Sequence, residues 1–353
     1  MAFNYNTIQG IVNSRYMRVL VNNIFKGRNF LWNQLRNNLE IKNDRKLVQP
    51  LEYAKATTIQ YTAKGGTVAL KDEEIVTDAE YTPSMINGSM VIFKQDELIN
   101  TSDMAVLRLL DIKTSNLQAS IEEFLANDIF VRATNGAVTT TNGWNSIDHL
   151  INNHATAAVG GIPSSGNQAS WWKSQVVTLN TDAYYTGSDP SVEANLLDPT
   201  QKVYLLKILD RIIALGNNNT GKIDLILVPP YIKALLKIIF NDRKMFITDN
   251  KRAASLGFTV LDYEGVAIEE DRNLAANQTG DTDGWMYGFS MKYMKMFLND
   301  GAKFTAGEFV QDNTINAKSS LVNGFGNIGV SNRAGHVVVK NVRSVKTYAI
   351  SAN

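Results

Sequence analysis

The sequence predicts an α+β protein that is built from several linked lobes. Three observations lead to this prediction: one long helix near residues 102–133, a second half in which helices and strands alternate, and a length of 353 residues, too long for one small compact domain. The 35 basic and 34 acidic residues give a net charge of +1, so the whole chain has no bias toward nucleic acid or acidic partners. Cysteine is absent, which excludes disulfides, thiolate nucleophiles and cysteine-based zinc sites.

The N-terminal arm, residues 1–50, is basic and rich in asparagine. It carries eight Lys and Arg residues, among them Arg15, Arg18 and Arg28, against two acids. The next fifty residues reverse this balance, with four lysines against eight acids. Opposite charges on neighbouring segments favour pairing within a subunit or between subunits; the alternative is that both segments are solvated surfaces. The start of the chain lacks the pattern of a signal peptide, so we expect no export by that route.

Residues 51–98 predict a long β-hairpin. The stretch KATTIQYTAKGGTVAL alternates with period two and turns at Gly65-Gly66, and the later stretch YTPSMINGSMVIFKQ is also typical of a strand. The acidic segment between them has no apolar periodicity, so it is not expected to pack against a hydrophobic core. We therefore expect the hairpin to project and to lie on another surface.

A long helix follows the hairpin. Thr101 or Ser102 can cap it, and about thirty residues would form a rod of roughly 45 Å. Its expected apolar face recurs every three or four residues and comprises Leu107, Leu110, Leu117, Ile121, Phe124 and Ile129. A rod of this length indicates a flat or elongated molecule.

Residues 134–198 are rich in Gly, Asn, Ser and Thr and are expected to be mostly loop. Trp144, Trp171 and Trp172 are the expected anchors of these loops in a core, because each brings a large apolar surface. The alternative is that these rings form a platform for a base or a sugar.

From residue 199 the pattern becomes helix, strand, helix, strand. Asp198-Pro199 is a helix start, and the helix that follows has one apolar face, made of Leu205, Ile208, Leu209, Ile212 and Ile213. KIDLILV reads as a buried strand and YIKALLKIIF as a second helix. The far C-terminal stretches read as strands that return to the sheet. No run approaches 18 apolar residues, so we expect no membrane span.

The stretch GNNNTGK, residues 216–222, has the spacing of a phosphate-binding P-loop. A P-loop requires a strand before it, a helix after it, and Ser or Thr after the lysine. Here a helix precedes it, a strand follows it, and Ile223 follows Lys222. We therefore expect a helix C-terminus with Gly216 in the left-handed conformation. Asn217, Asn218 and Asn219 are then expected in a loop at the edge of a lobe.

No catalytic constellation emerges from the sequence, and we expect no catalytic residue, cofactor or metal. The three histidines, His149, His154 and His336, lack the spacing of a metal site. Segments that cannot bury themselves, such as the arm, the hairpin and the rod, are normally completed by neighbours in a symmetric assembly.

The order of arm, hairpin and long helix resembles that of the major capsid proteins of tailed bacteriophages with the Hong Kong 97-type shell fold. GWNSIDHLINNHATAAVGGIPSSGNQASWWKSQVV is similar to a stretch of one branch of this family. The C-terminal part, from GFSMKYMKMFLNDGAKFTAGEFV to NGFGNIGVSNRAGHVVVKNV, is similar to the family's C-terminal half. The resemblance spans residues 50–345.

The resemblance implies an N-arm (1–50), an E-loop hairpin (51–98), a peripheral domain with the spine helix (99–198), an axial domain (199–290) and C-terminal strands that return to both domains (291–353). It implies pentamers and hexamers that close into an icosahedral shell around double-stranded DNA. Some family members carry a cleaved N-terminal scaffolding segment; here we expect a separate scaffolding protein, together with a portal protein and no membrane. The protein would be assembled in the host cytoplasm and reside in the virion.

The rival within the fold is an encapsulin-type nanocompartment shell, and the rival outside it is a nucleotide-binding enzyme that uses residues 216–222. Lys64 or Lys71 is placed for the covalent crosslink that some family members form, although no partner Asn is identified. The expected intersubunit contacts are Lys64, Gly65, Gly66, Lys71, Asp72, Glu73, Glu74, Arg15, Arg18, Arg28, Asn217, Asn218 and Asn219.

Overall fold

The structure is a computed structural model. It describes residues 29–68, 70–95, 103–131, 143–153, 158–163, 171–178, 202–217, 221–241, 261–276, 284–306, 309–312 and 316–342. Arg15, Arg18, Arg28, His154, Asn218 and Asn219 lie outside these ranges. Helices and strands both contribute heavily, so the predicted α+β class is confirmed.

The helices are α1 (Phe30–Asn37), α2 (Asp103–Asp128), α3 (Ile147–Ile151), α4 (Lys202–Asn217), α5 (Pro230–Asn241) and α6 (Arg272–Ala276). The strands are β1 (Leu39–Ile41), β2 (Leu47–Glu52), β3 (Val76–Tyr81), β4 (Ser84–Phe93), β5 (Ala158–Val159), β6 (Ile162–Pro163), β7 (Gln175–Thr178), β8 (Leu225–Val228), β9 (Leu261–Tyr263), β10 (Val266–Glu270), β11 (Gly284–Phe289), β12 (Met294–Ala306), β13 (Val310–Asp312), β14 (Ala317–Val330) and β15 (Val337–Val342).

A five-stranded sheet is organised around β14. This strand pairs antiparallel with β4, β12 and β13, and β1 adds to β12 in parallel. The long helix α2 packs on this sheet at Gly88. A Cβ there would lie 2.9 Å from the Cδ1 atoms of Leu117 and Ile121, so a larger residue would require these side chains to shift.

The predicted long helix is confirmed, but its buried face differs from the predicted one. Ile121, Leu125 and Ile129 are buried, whereas Phe124 is 57% exposed. Phe124 was predicted to face the core because it follows Ile121 by three residues. The buried stripe instead runs through Leu125, four residues after Ile121, which leaves Phe124 at its margin.

A six-stranded mixed sheet has the order β7-β15-β11-β8-β10-β9. The predicted apolar face of α4 is buried in the core of this sheet, so that prediction is confirmed. Strand β15 returns from the C-terminal part to pair with β7 and β11. Strand β7 lies in a segment predicted to be mostly loop, because four residues between polar stretches carry too little pattern to be recognised.

Helix α1 belongs to the core, although it falls in the segment predicted to be a basic arm. Its residues Phe30, Leu31, Trp32 and Leu35 are buried. The Asp271 carboxylate caps α1, since Oδ2 accepts from the Leu31 amide at 3.2 Å, and Oδ1 accepts from the Asn273 amide at 3.0 Å. Burial raises the pKa of Asp271 to about 6.

Two of the tryptophans predicted to be core anchors are buried, and the third packs beside them. Trp144 and Trp172 are almost fully buried, and the Trp172 indole donates to the Val159 carbonyl at 3.0 Å. Trp171 is partly buried and packs against the same cluster. Burial of the Trp144 and Trp172 rings contradicts the alternative of an open stacking platform. Among the helices of the described ranges, none is long and apolar enough to cross a membrane.

Candidate intersubunit surface

A projecting loop, residues 53–75, connects β2 to β3. These strands pair from Leu47 with Tyr81 to Glu52 with Val76, and one further bond joins the Tyr53 amide to the Ile75 carbonyl at 3.0 Å. Beyond that bond the described loop residues form no strand. The prediction that the hairpin strands continue through residues 57–61 is therefore wrong.

Side chains hold the two arms of the loop where the backbone ladder stops. The Glu73 carboxylate accepts from the Thr57 amide at 2.6 Å and from the Thr57 hydroxyl, and Gln60 Nε2 donates to the Thr67 carbonyl at 3.2 Å. Alternating residues would have favoured a regular ladder, but these side-chain bonds bridge the arms instead.

The loop ends in a tight turn at the predicted glycine pair. The Gly66 amide donates to the Ala63 carbonyl at 2.9 Å, and Gly65 has a φ of 86°. This φ is the one that the third position of a type II turn requires. The predicted turn at Gly65-Gly66 is confirmed, and it presents Lys64 at the tip.

The loop displays apolar side chains that the described residues of the chain do not cover. Ile59 is 87% exposed, Leu70 is 95% exposed, and Tyr61 and Val68 are also exposed. A single exposed apolar residue is ordinary, but four large apolar side chains exposed on one loop indicate a partner.

The charged residues of the loop divide into two groups. Lys55, Lys64, Lys71, Asp72 and Glu74 are exposed. Glu73 instead faces Thr57, whose hydrogen bonds lower the pKa of its carboxyl group. Glu73 therefore stabilises the shape of the loop, and Lys71 Nζ lies 3.9 Å from its Oε1. The other exposed charged residues are available to a partner.

A second apolar surface lies on the five-stranded sheet. Alternate residues of β4 point away from α2, and Met85 and Phe93 among them are about half exposed. The register pairs Leu321 with Ser89 and Val310 with Ser319. Because directly paired residues share a face, the exposed Leu321 and Val310 extend the same surface.

The stretch GNNNTGK joins helix α4 to strand β8, which confirms that it lacks the strand–loop–helix context of a P-loop. Gly216 lies within α4 and has no positive φ, so the prediction of a left-handed cap is wrong. A Cβ at Gly216 would lie 2.2 Å from Ile223 Cγ1, and one at Gly221 would lie 3.0 Å from Gly335 Cα. Both glycines are therefore explained by close packing. The side chain of Asn217 is exposed, and its Oδ1 accepts from the Ile223 amide at 3.1 Å.

The packing role of Gly216 can be tested by substitution. We expect Gly216→Ala to lower the free energy of unfolding by about 1–3 kcal/mol, because the methyl group overlaps Ile223. Lys222→Ala, on an exposed neighbour, should change it by less than about 0.5 kcal/mol and should not alter any response to ATP. Urea denaturation measures both. An ATP-dependent rise in melting temperature that Lys222→Ala abolishes would instead support the nucleotide-binding alternative.

The described histidines are buried among structural contacts. His149 lies in α3, and His336 lies just before β15. In the part of the chain that the structure describes, no three His, Asp or Glu side chains are grouped closely enough to hold a metal ion.

No protein-family model matches the sequence, and no curated protein matches it. Three solved structures are similar. The cyanophage A-1(L) capsid has a TM-score of 0.59 at 12% identity and matches 92% of this chain and 95% of the other. The holo-SrpI encapsulin complex of Synechococcus elongatus PCC 7942 has 0.50 at 11% identity, with 92% and 93% matched. The capsid of Myoviridae phage XM1 has 0.50 at 11% identity, with 92% and 95% matched. The chain therefore has the Hong Kong 97-type shell fold found in tailed-phage capsid proteins.

Proposed function

We propose that this protein is the major capsid protein of a tailed phage and that it assembles into an icosahedral head shell around double-stranded DNA. The observation that carries the proposal is the projecting loop of residues 53–75, whose apolar residues have no cover within the described chain. The fold match to two phage capsids along more than nine-tenths of the chain supports it. In this proposal the protein has no enzymatic role.

The loop is the proposed contact with a neighbouring copy. Ile59 and Leu70 would be buried there, and the exposed acids Asp72 and Glu74 would face the basic residues Arg15, Arg18 and Arg28 of a neighbour. Burying one such aliphatic side chain contributes roughly 1.5–3 kcal/mol. A closed shell repeats this contact in every subunit, so modest contacts suffice.

The remaining partners follow from the same proposal. The subunits would form pentamers and hexamers with the Asn217–Asn219 loop at a lobe edge. A separate scaffolding protein and a portal would assist assembly in the host cytoplasm, and the DNA would be held without sequence specificity.

We expect Leu70→Asp to prevent assembly without unfolding the subunit. Because Leu70 is 95% exposed, the free energy of unfolding of the isolated subunit should change by less than about 0.5 kcal/mol. Loss of its buried contact should remove particles from size exclusion and negative-stain microscopy. Lys237→Asp introduces the same side chain at an exposed position of helix α5, outside every proposed contact, and should leave assembly intact. Normal particles from Leu70→Asp would refute the loop contact.

The second candidate is an encapsulin-type nanocompartment, which the similarity to the SrpI complex favours. Particles purified from the native host separate the two functions. A shell with packaged genome and a portal supports the capsid, whereas a shell that contains an enzyme and no genome supports the nanocompartment.

A further inference from the structure

A cleft of about 450 Å³ opens between helix α1, strand β1, helix α2 and strand β12. Its walls combine apolar residues, among them Trp32, Leu39, Ile121, Leu125 and Phe304, with the polar residues Arg36, Gln118, Glu122 and Lys303. A volume of this size holds several side chains of a bound segment. The cleft is separate from the projecting loop.

Phe304 has a conformation that shapes this cleft. Its φ is 59°, which is unusual for an aromatic residue, and the pairing of β12 with β14 shifts register on both sides of Lys303. The ring lies over Gly324, where a Cβ would come within 2.1 Å of it. Such a bulge turns a side chain away from its regular position, and strained residues of this kind cluster at functional sites.

The charged groups at the rim already have partners on this chain. Arg36 Nη1 lies 2.9 Å from Glu122 Oε1, and Lys303 pairs with Asp300. These ion pairs leave no need for a charged ligand at the rim. The apolar wall residues favour the binding of apolar side chains. Deeper in the wall, the Trp32 indole N–H is buried and finds no acceptor among the described residues.

We propose that residues 1–28 of the same chain cover this cleft. They directly precede Asn29 and α1, which is one wall of the cleft, and α1 is only about 12 Å long. Fourteen of these 28 residues are apolar and none is acidic, so the segment has the side chains that the cleft accepts. Because it is tethered beside the cleft, its effective concentration there exceeds that of any separate partner.

A photo-crosslinking amino acid at Gln118 tests the identity of the occupant. Gln118 is exposed and lines the cleft, whereas Ser89, the matched control, is exposed on the opposite face of the sheet. We expect position 118, but not position 89, to crosslink to residues 1–28. In a mixture of ¹⁴N-labelled and ¹⁵N-labelled protein, the linked peptides should carry a single label. Mixed labels, crosslinks to residues 53–75 or no crosslink would each overturn the proposal.

Limited proteolysis gives an independent test on the full-length protein. In dissociated subunits, where no neighbouring loop can shield these sites, trypsin can cleave after Arg15 and Arg18, and cover of the cleft by residues 1–28 should slow this cleavage. Leu39→Glu places a charge in the cleft wall and should speed cleavage at least about tenfold, because a buried charge is costly. Leu321→Glu makes the same change on the opposite face of the sheet, away from the cleft, and should have no effect. Equal cleavage of all three proteins would refute the proposal.

Discussion

Replacing Arg333 by methionine is expected to lower the free energy of unfolding by about 3–5 kcal/mol. Arg333 is fully buried, yet it is a charged residue in a 3₁₀ turn, Arg333–Gly335, between β14 and β15. Burial lowers the pKa of its guanidinium to about 10, so the group remains charged at neutral pH. A charge in this position must be held by well-placed acceptors.

The guanidinium of Arg333 joins two separate stretches of chain. Nε donates to the Leu150 carbonyl at 2.6 Å, Nη1 to the Trp172 carbonyl at 3.1 Å, and Nη2 to the Asn152 carbonyl at 3.2 Å. Methionine fills much of the same volume but leaves three buried carbonyls without a donor. Each unsatisfied group costs roughly 1–3 kcal/mol, of which relaxation recovers part.

Urea denaturation of dissociated subunits measures the effect of Arg333→Met. Arg36→Met is the matched control, because Arg36 is half exposed and forms a surface ion pair with Glu122 that should contribute less than about 1 kcal/mol. Arg333→Lys keeps the charge but cannot span three carbonyls, so it should fall between wild type and Arg333→Met. Equal stability of Arg333→Met and Arg36→Met would contradict the structural role of Arg333.

The strongly periodic parts of the sequence predicted the fold best. The apolar face of α4 and the buried strand β8 each repeat one pattern over enough residues to identify the element. The Gly65-Gly66 pair identifies the turn at the loop tip. Phe124 was misassigned because two adjacent apolar positions both fit helical spacing, and only the packing of α2 on Gly88 decides between them.

The remaining features depend on contacts that are distant in sequence. Helix α1 is capped by a carboxylate 240 residues away, so its local sequence shows only a basic segment. Gly216 is explained only by its close contact with Ile223. Arg333 is explained only by its hydrogen bonds to the carbonyls of Leu150 and Trp172. The projecting loop could be predicted, because the sequence around it has no pattern that would bury it in a core. The hydrogen bonds from Thr57 to the Glu73 carboxylate could not be predicted.

The second large expected effect is a loss of stability in acid caused by His336. This residue is fully buried; its Nδ1 accepts from the Ser290 amide at 3.3 Å, and its Nε2 has no partner among the described residues. Burial, with a smaller contribution from the nearby Arg333 charge, lowers the pKa of His336 to about 3. The imidazole is therefore neutral in the folded subunit, while it titrates near 6.5 when unfolded.

A lowered folded pKa means that the stabilisation is complete above about pH 6.5 and is lost as the pH falls toward 3. At pH 5 the loss from His336 amounts to about 2 kcal/mol. Asp271 acts in the opposite direction, because burial raises its folded pKa to about 6. Its contribution is present below about pH 4 and is lost as the pH rises through 6. The two groups partly cancel in the wild-type subunit, so single variants are needed to separate them.

His336→Asn keeps an acceptor for the Ser290 amide but removes the titrating group. Between pH 7.5 and pH 5, the free energy of unfolding of this variant should fall by about 2 kcal/mol less than that of wild type. Between the same two pH values, the free energy of unfolding of Asp271→Asn should fall more than that of wild type. The reason is that this variant lacks the carboxyl group whose protonation stabilises the folded subunit in acid. Urea denaturation of dissociated subunits at both pH values measures all three proteins. Parallel pH dependence of wild type and His336→Asn would contradict the prediction that the buried imidazole stays neutral in the folded subunit.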